Sequence, residues 1–190
     1  LGNPKFLGYQ IAGTLSFCCL FIYLSTVSFF LKYVFQVPTE YFGLAFAMTV
    51  IGFVIGSLLS SRLVMKWGQD KTLHRGTLVC LGANALVLFL TLYLPSSTVG
   101  FAILSILFFF GIGLISANAS MGAVSLYPHK AGAASAVYGC VHSLSSATVG
   151  AIAGLLYAGR LLEPVALMLL CSVGALLGSA LIHRFRHHAA

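Results

Sequence analysis

The sequence predicts an all-α integral membrane protein of six transmembrane helices, and three observations carry that prediction. Of the 190 residues, 59% are apolar or aromatic and only 7% are charged, whereas an ordinary globular domain carries roughly 25% charged residues. Too little polar surface is left to face water once the apolar runs are hidden. Those runs number six, each near the ~20 residues that cross the hydrocarbon layer as helix, at 7–31, 42–65, 73–94, 99–126, 132–158 and 164–183. Lastly, Pro4, Pro38, Pro95, Pro128 and Pro164 all fall at or between run ends, where a residue that removes a helical hydrogen bond belongs. A transmembrane β-barrel would instead alternate apolar and polar residues over strands of about ten.

Span one carries Tyr9, Ser16, Tyr23 and Phe30 at intervals of seven, a polar and aromatic stripe on an otherwise apolar helix. Tyr9 and Phe30, near its ends, read as interfacial belt aromatics. Span two holds Gly52 and Gly56, and since no proline interrupts any span, bends are assigned to such glycines, with Gly111, Gly113, Gly150 and Gly154. Asn84 in span three reads as structural. Asn118 in span four must find a partner, because an unpaired amide in hydrocarbon costs at least about 1 kcal/mol. It faces either a cavity or a neighbouring helix.

Span five is built of small side chains. Ser135, Gly139, Ser143, Ala147 and Ala151 recur every four residues, and Gly150, Gly154 and Ala158 form a second ladder. Small residues at this spacing let helix backbones approach closely, which is how helices associate where burying apolar surface gives no advantage. Tyr138 and His142 lie on a neighbouring face with Ser145 and Ser146. An ionisable side chain inside a membrane is by default functional, so His142 is a candidate for substrate or interface contact, for proton transfer, or for a packing hydrogen bond to Tyr138 or a serine. Span six, with little polarity beyond Ser172 and Ser179, suits a lipid-facing helix.

Eight of the ten Lys and Arg residues gather on one side: Lys5, Arg62, Lys66, Lys71, Arg75, Lys130, Arg184 and Arg186. Only Lys32 and Arg160 lie on the other, so the positive-inside rule puts both termini in the cytoplasm. This charge is a topology signal and no nucleic-acid footprint, since it gathers on no soluble module. Cys18, Cys19, Cys80, Cys140 and Cys171 lie within spans without zinc-site spacing and read as small packing residues. The tail "HRFRHHAA" reads as a topology anchor, and no metal site is assigned. The opening "LGNPKF" has no signal-peptide pattern and reads as the end of a loop entering a helix.

The second connection, "GSLLSSRLVMKWGQDKTL", resembles a degenerate copy of the signature loop of major facilitator transporters, in which a glycine precedes an aspartate by four and basic residues then flank a glycine. Gly56 matches, Ser60 stands at the aspartate position, and Arg62, Lys66, Gly68 and Lys71 supply the rest. "FLGYQIAGTLSFCCLFIYLSTVSFFLK" and "GIGLISANASMGAVSLYPHKAGAASAVYG" further resemble helices seven and ten to eleven of bicyclomycin-resistance-type (Bcr/CflA) drug:proton antiporters. The resemblance covers essentially the whole chain. It implies that residues 1–190 are the C-terminal six-helix half of a twelve-helix fold, itself two inverted three-helix repeats, in the bacterial inner membrane.

What the resemblance implies for sites follows from that placement. Spans one and four would line a midplane cavity for a small amphipathic drug, with Ser16, Tyr23, Asn118, Tyr138 and His142 as candidate substrate contacts. Spans two and five would meet an N-terminal six-helix half, the partner for Ser135, Gly139, Ser143, Ala147, Gly150 and Gly154. The energy source would be the proton gradient, with no cofactor. Because Glu40, Asp70 and Glu163 all read as lying in connections, the coupling acid is expected in that other half.

Two other classes compete with this reading. An intramembrane serine protease with six helices needs a Gly-x-Ser-Gly serine on span four and a histidine on span six, whereas this chain has "ANASMG" and places His142 on span five. No enzyme is therefore expected. A freestanding six-helix membrane protein that dimerises or serves as a membrane partner is the remaining alternative.

Overall fold

The structure is a computed structural model that describes residues 3–93, 98–156 and 162–184. Pro95, Ala158, Arg160, Arg186 and the rest of the histidine-bearing tail lie outside the described residues. Six long helices form: α1 (Pro4–Phe29), α2 (Phe42–Trp67), α3 (Gln69–Tyr93), α4 (Thr98–Ser125), α5 (Ala131–Leu156) and α6 (Leu162–Arg184). All six are long and apolar enough to cross a membrane.

Local chemistry sets the helix ends. Asn3 caps α1, its side chain accepting from the Lys5 amide at 2.9 Å, and Pro4 takes the first position, where no amide hydrogen is needed. Pro164 likewise sits in the first turn of α6. Gly68 ends α2 with φ at 80°, a left-handed conformation that glycine adopts at least cost. Two features differ from the predicted spans. A π-helical turn, Phe30–Val34, extends α1 and is followed by Gln36 at φ 52°. Also, α3 starts at Gln69 and α6 at Leu162, so Asp70 and Glu163 belong to first turns rather than to connections, and the helix dipole favours an acid there.

The packing repeats itself. The main neighbours of α1 are α6 and α5, and those of α4 are α3 and α2; α1 also packs on α4, and α3 on α6. Exchanging α1 with α4, α2 with α5 and α3 with α6 returns the same pattern, and each exchanged pair runs in opposite directions. That is the arrangement of two inverted three-helix repeats. The glycines assigned to bends sit instead where backbones meet. A Cβ at Gly56 would overlap the Phe110 carbonyl, and one at Gly113 would come 2.8 Å from the Ser57 amide, so α2 and α4 touch backbone to backbone. In the same way, a Cβ at Gly178 would lie 2.8 Å from the Ala12 amide, closing α1 on α6.

Candidate functional site

Because α3 and α6 pack together on one flank, the bundle opens on the other, between α2 and α5, which make no substantial contact with each other. These two helices are the least covered, and α1 and α4, which floor the opening, the most. The side chains of α1 left partly or wholly uncovered toward this cleft are Phe17, Leu20, Leu24 and Ser28, spaced three or four apart on one face. On α4 the uncovered residues on the side opposite the α3-facing Gly111 are Ala102, Ser116 and Ser120. The floor is thus largely apolar, with serine hydroxyls from α4 and no carboxylate from either helix.

The predicted stripe on α1 turns away from this cleft. Tyr9, Ser16, Tyr23 and Phe30 are all buried, packed inward. Tyr9 is no belt residue: it donates a hydrogen bond to Asp70 on α3, and a Cβ at Gly122 on α4 would fall inside its ring. Phe30 is fully buried against Phe101. Tyr23 sits among Phe101, Phe108 and Phe109, its ring centroid 5.2 Å from that of Phe109, and borders an apolar cavity of about 210 Å³ where α1, α2 and α4 end. Ser16 is buried with its hydroxyl unpartnered among the described residues. On this face of α1 the aromatic rings and Ser16 turn toward protein.

Of the two settings open to Asn118, the structure gives it the neighbouring helix, where it is buried. Its Nδ2 donates to Ser60 Oγ at 2.7 Å and to the Leu114 carbonyl at 2.6 Å, fastening α4 to α2. Tyr138 and His142 do come together, and Phe17 joins them. The His142 ring lies 4.3 Å from Phe17 and 5.3 Å from Tyr138, centroid to centroid. Tyr138 is buried where α5 meets Gly13 on α1 and Ala119 on α4, while His142 is half-exposed on the cleft side of that joint. The expected packing hydrogen bond from His142 is absent: Nδ1 is buried without a partner among the described residues, and Ser146 donates to the His142 carbonyl instead. Contact with Tyr138 is through ring faces.

The two ladders of α5 separate. Ser135, Ser143 and Ala147 are exposed and Gly139 has open space beside it, so this face is uncovered. Gly150 faces α1, where a Cβ would come 2.9 Å from that of Phe21, and Gly154 looks toward Ser25. Gly150 belongs to a seam inside this bundle, where α5 approaches α1 closely, whereas Gly154 is partly exposed and a Cβ there would come only within 3.7 Å of that of Ser25. Cys140, expected in packing, is exposed on α5.

The signature-loop residues cluster at the basic end. Gly56 and Ser60 face α4, while Arg62, Lys66, Gly68 and Lys71 are exposed. Gln69 donates to the Asn118 carbonyl at 2.7 Å, and the Arg75 guanidinium lies 3.6 Å over the Trp67 ring, a cation–π contact. The Ser60–Asn118 bond therefore stands where the full motif has its acid. Sequence reasoning missed Phe17 and Leu24 because nothing in an apolar residue distinguishes cleft from lipid. It missed Tyr9 with Asp70, for which a buried acid-capable pairing of distant residues leaves no local signal. Among the described residues, no group of three or more His, Cys, Asp or Glu is placed to hold a metal ion.

Comparison with known proteins agrees with this architecture. The family model described as Major Facilitator Superfamily matches residues 1–150. A bicyclomycin resistance protein homolog of Haemophilus influenzae is 32% identical over 184 residues, which are 96% of this chain and 45% of that protein. A chloramphenicol resistance protein of Pseudomonas aeruginosa is 29% identical over 148 residues, 76% of this chain and 35% of that protein. The chain thus spans less than half the length of these curated relatives. No solved structure matches it.

Proposed function

The chain belongs to the major facilitator superfamily, a family of transporters, and on that premise we propose that it forms the C-terminal six-helix half of a drug exporter driven by proton antiport. The observation that carries this reading is the one-sided opening: α2 and α5 are left uncovered around a largely apolar floor of α1 and α4. An N-terminal half laid over that side would close a midplane cavity and cover the Ser135, Gly139, Ser143 and Ala147 face. Both relatives are named for antibiotic resistance, which supports a small amphipathic drug as cargo. In this reading the protein lies in the bacterial inner membrane with both termini cytoplasmic, as its basic end favours.

The floor recognises its cargo through shape and ring contact. Phe17 and His142 stack ring on ring beside the cleft, and the exposed part of the His142 ring gives a largely apolar wall a polar group. His142 serves as a polar contact, and proton coupling resides in the other half. The test is drug export in a susceptible bacterial host expressing the intact protein. Everted membrane vesicles should show drug-dependent collapse of the pH gradient, and His142→Gln should change which drugs are exported while the proton coupling persists. If vesicles with the unaltered protein show neither drug uptake nor drug-dependent proton movement, the reading fails.

A further inference from the structure

On the flank away from the cleft, α3 and α6 bring two histidines together near the basic end. The rings of His74 and His183 lie 5.1 Å apart, centroid to centroid, and nearly perpendicular at 77°. His74 Nδ1 is 2.9 Å from Ser179 Oγ. Ser179 Oγ is also 2.8 Å from the Leu176 carbonyl, to which it can donate its one hydrogen. In the tautomer that this permits, Nδ1 donates to the serine oxygen and the lone pair is on Nε2, the nitrogen left for another partner.

This is how ligand imidazoles are prepared at metal centres, one nitrogen donating to an acceptor that fixes tautomer and ring orientation while the other holds the metal. The support is firm here. Ser179 is fully buried, and its Oγ is also 3.2 Å from Thr77 Oγ1. It lies one turn before His183, on the same face of α6. Both imidazoles are partly exposed, so an ion can reach them.

The surrounding charges select the kind of ion. Lys71, Arg75 and Arg184 are close in sequence, Arg75 is drawn over Trp67, and the nearest acid, Asp70, is taken by Tyr9. Hard cations such as calcium or magnesium need several oxygen ligands, which are absent among these residues. Imidazole pairs suit borderline transition metals.

We propose that His74 and His183 form a two-imidazole site for a divalent transition metal of the zinc(II) class, with water completing its shell, clamping α3 to α6 at the basic end. The competing source of zinc affinity is the sequence's own tail, where His187 and His188 follow.

The experiment uses the intact protein in lipid nanodiscs, purified without a histidine tag, and titrates zinc(II) while following heat of binding and thermal stability. Saturable binding with a raised melting temperature is expected in the unaltered protein and in His187→Ala/His188→Ala. His74→Ala and His183→Ala should each abolish it. Ser179→Ala should weaken it about tenfold, the usual effect of removing an orienting partner. Lowering the pH should release the metal, because protons compete for imidazole. Binding that survives in both single histidine variants, or that vanishes in the tail variant, overturns the proposal. Because His183 lies in the last turn of α6, its alanine variant disturbs little packing and keeps the test valid should His74→Ala fold poorly.

Discussion

Asn118 uses its amide hydrogens for two bonds at a buried position, and its worth follows from that. Replacing it with leucine, which has the same branching and number of side-chain heavy atoms, leaves the Ser60 hydroxyl without its partner across α2 and α4. Interhelical hydrogen bonds of this kind average about 0.6 and reach about 1.7 kcal/mol in membranes, so Asn118→Leu should lower stability by that amount. Unfolding in mixed detergent micelles measures it. A residue that touched drug would instead alter the export profile at unchanged stability. Tyr9 is the second such case. Tyr9→Phe keeps the ring against Gly122 but removes the donor to Asp70, and a double-mutant cycle with Asp70→Asn should show coupling of about 1 kcal/mol, a typical hydrogen-bond contribution. Additive effects would mean that the contact contributes nothing.

At the scale of a helix, α5 shows how one composition serves two surfaces. Gly150→Val drives a branched side chain into Phe21 of α1, and overpacking of this kind costs about 1–3 kcal/mol. Gly139→Val meets open space in this bundle and should leave its own stability unchanged. If a second six-helix half docks on that face, export by the intact protein should nonetheless fall. Comparing the thermal stability and the drug export of the two variants separates inner seam from outer face. The sequence displayed the ladders but not their directions. Helix number and placement were legible because hydrocarbon demands long apolar runs and puts prolines at their ends. The facing of α1 was not: its interval of seven picked out Tyr9, Ser16, Tyr23 and Phe30 correctly as one face, yet that face seeks partners inward. Cleft and lipid both accept aliphatic residues, so Leu24 carries no mark of which one it meets. Pairings across the bundle, such as Tyr9 with Asp70 or His74 with His183, join residues far apart in the chain and needed the fold to become visible.

For the whole molecule, the decisive feature is where its acids stand. A proton-coupled exporter needs a group that exchanges its proton as cargo binds, and in membranes that group is usually a carboxylate facing the cavity. This chain has three acids in all. Glu40 is exposed in a short turn before α2, and Glu163 in the first turn of α6, both at the sparsely charged end. Asp70 is at the opposite end, held by Tyr9, and none belongs to the floor of α1 and α4. If the proposed architecture holds, Glu40→Gln and Glu163→Gln should leave drug-dependent proton movement unchanged in vesicles carrying the intact protein. Asp70→Asn should act through stability, with coupling per folded molecule preserved. The six-helix chain reconstituted by itself should give no drug-dependent proton flux, since it offers half a cavity and no acid within it. Loss of coupling in Glu40→Gln or Glu163→Gln at normal protein levels would place the proton step in this chain, and the division of labour between the halves would have to be reversed.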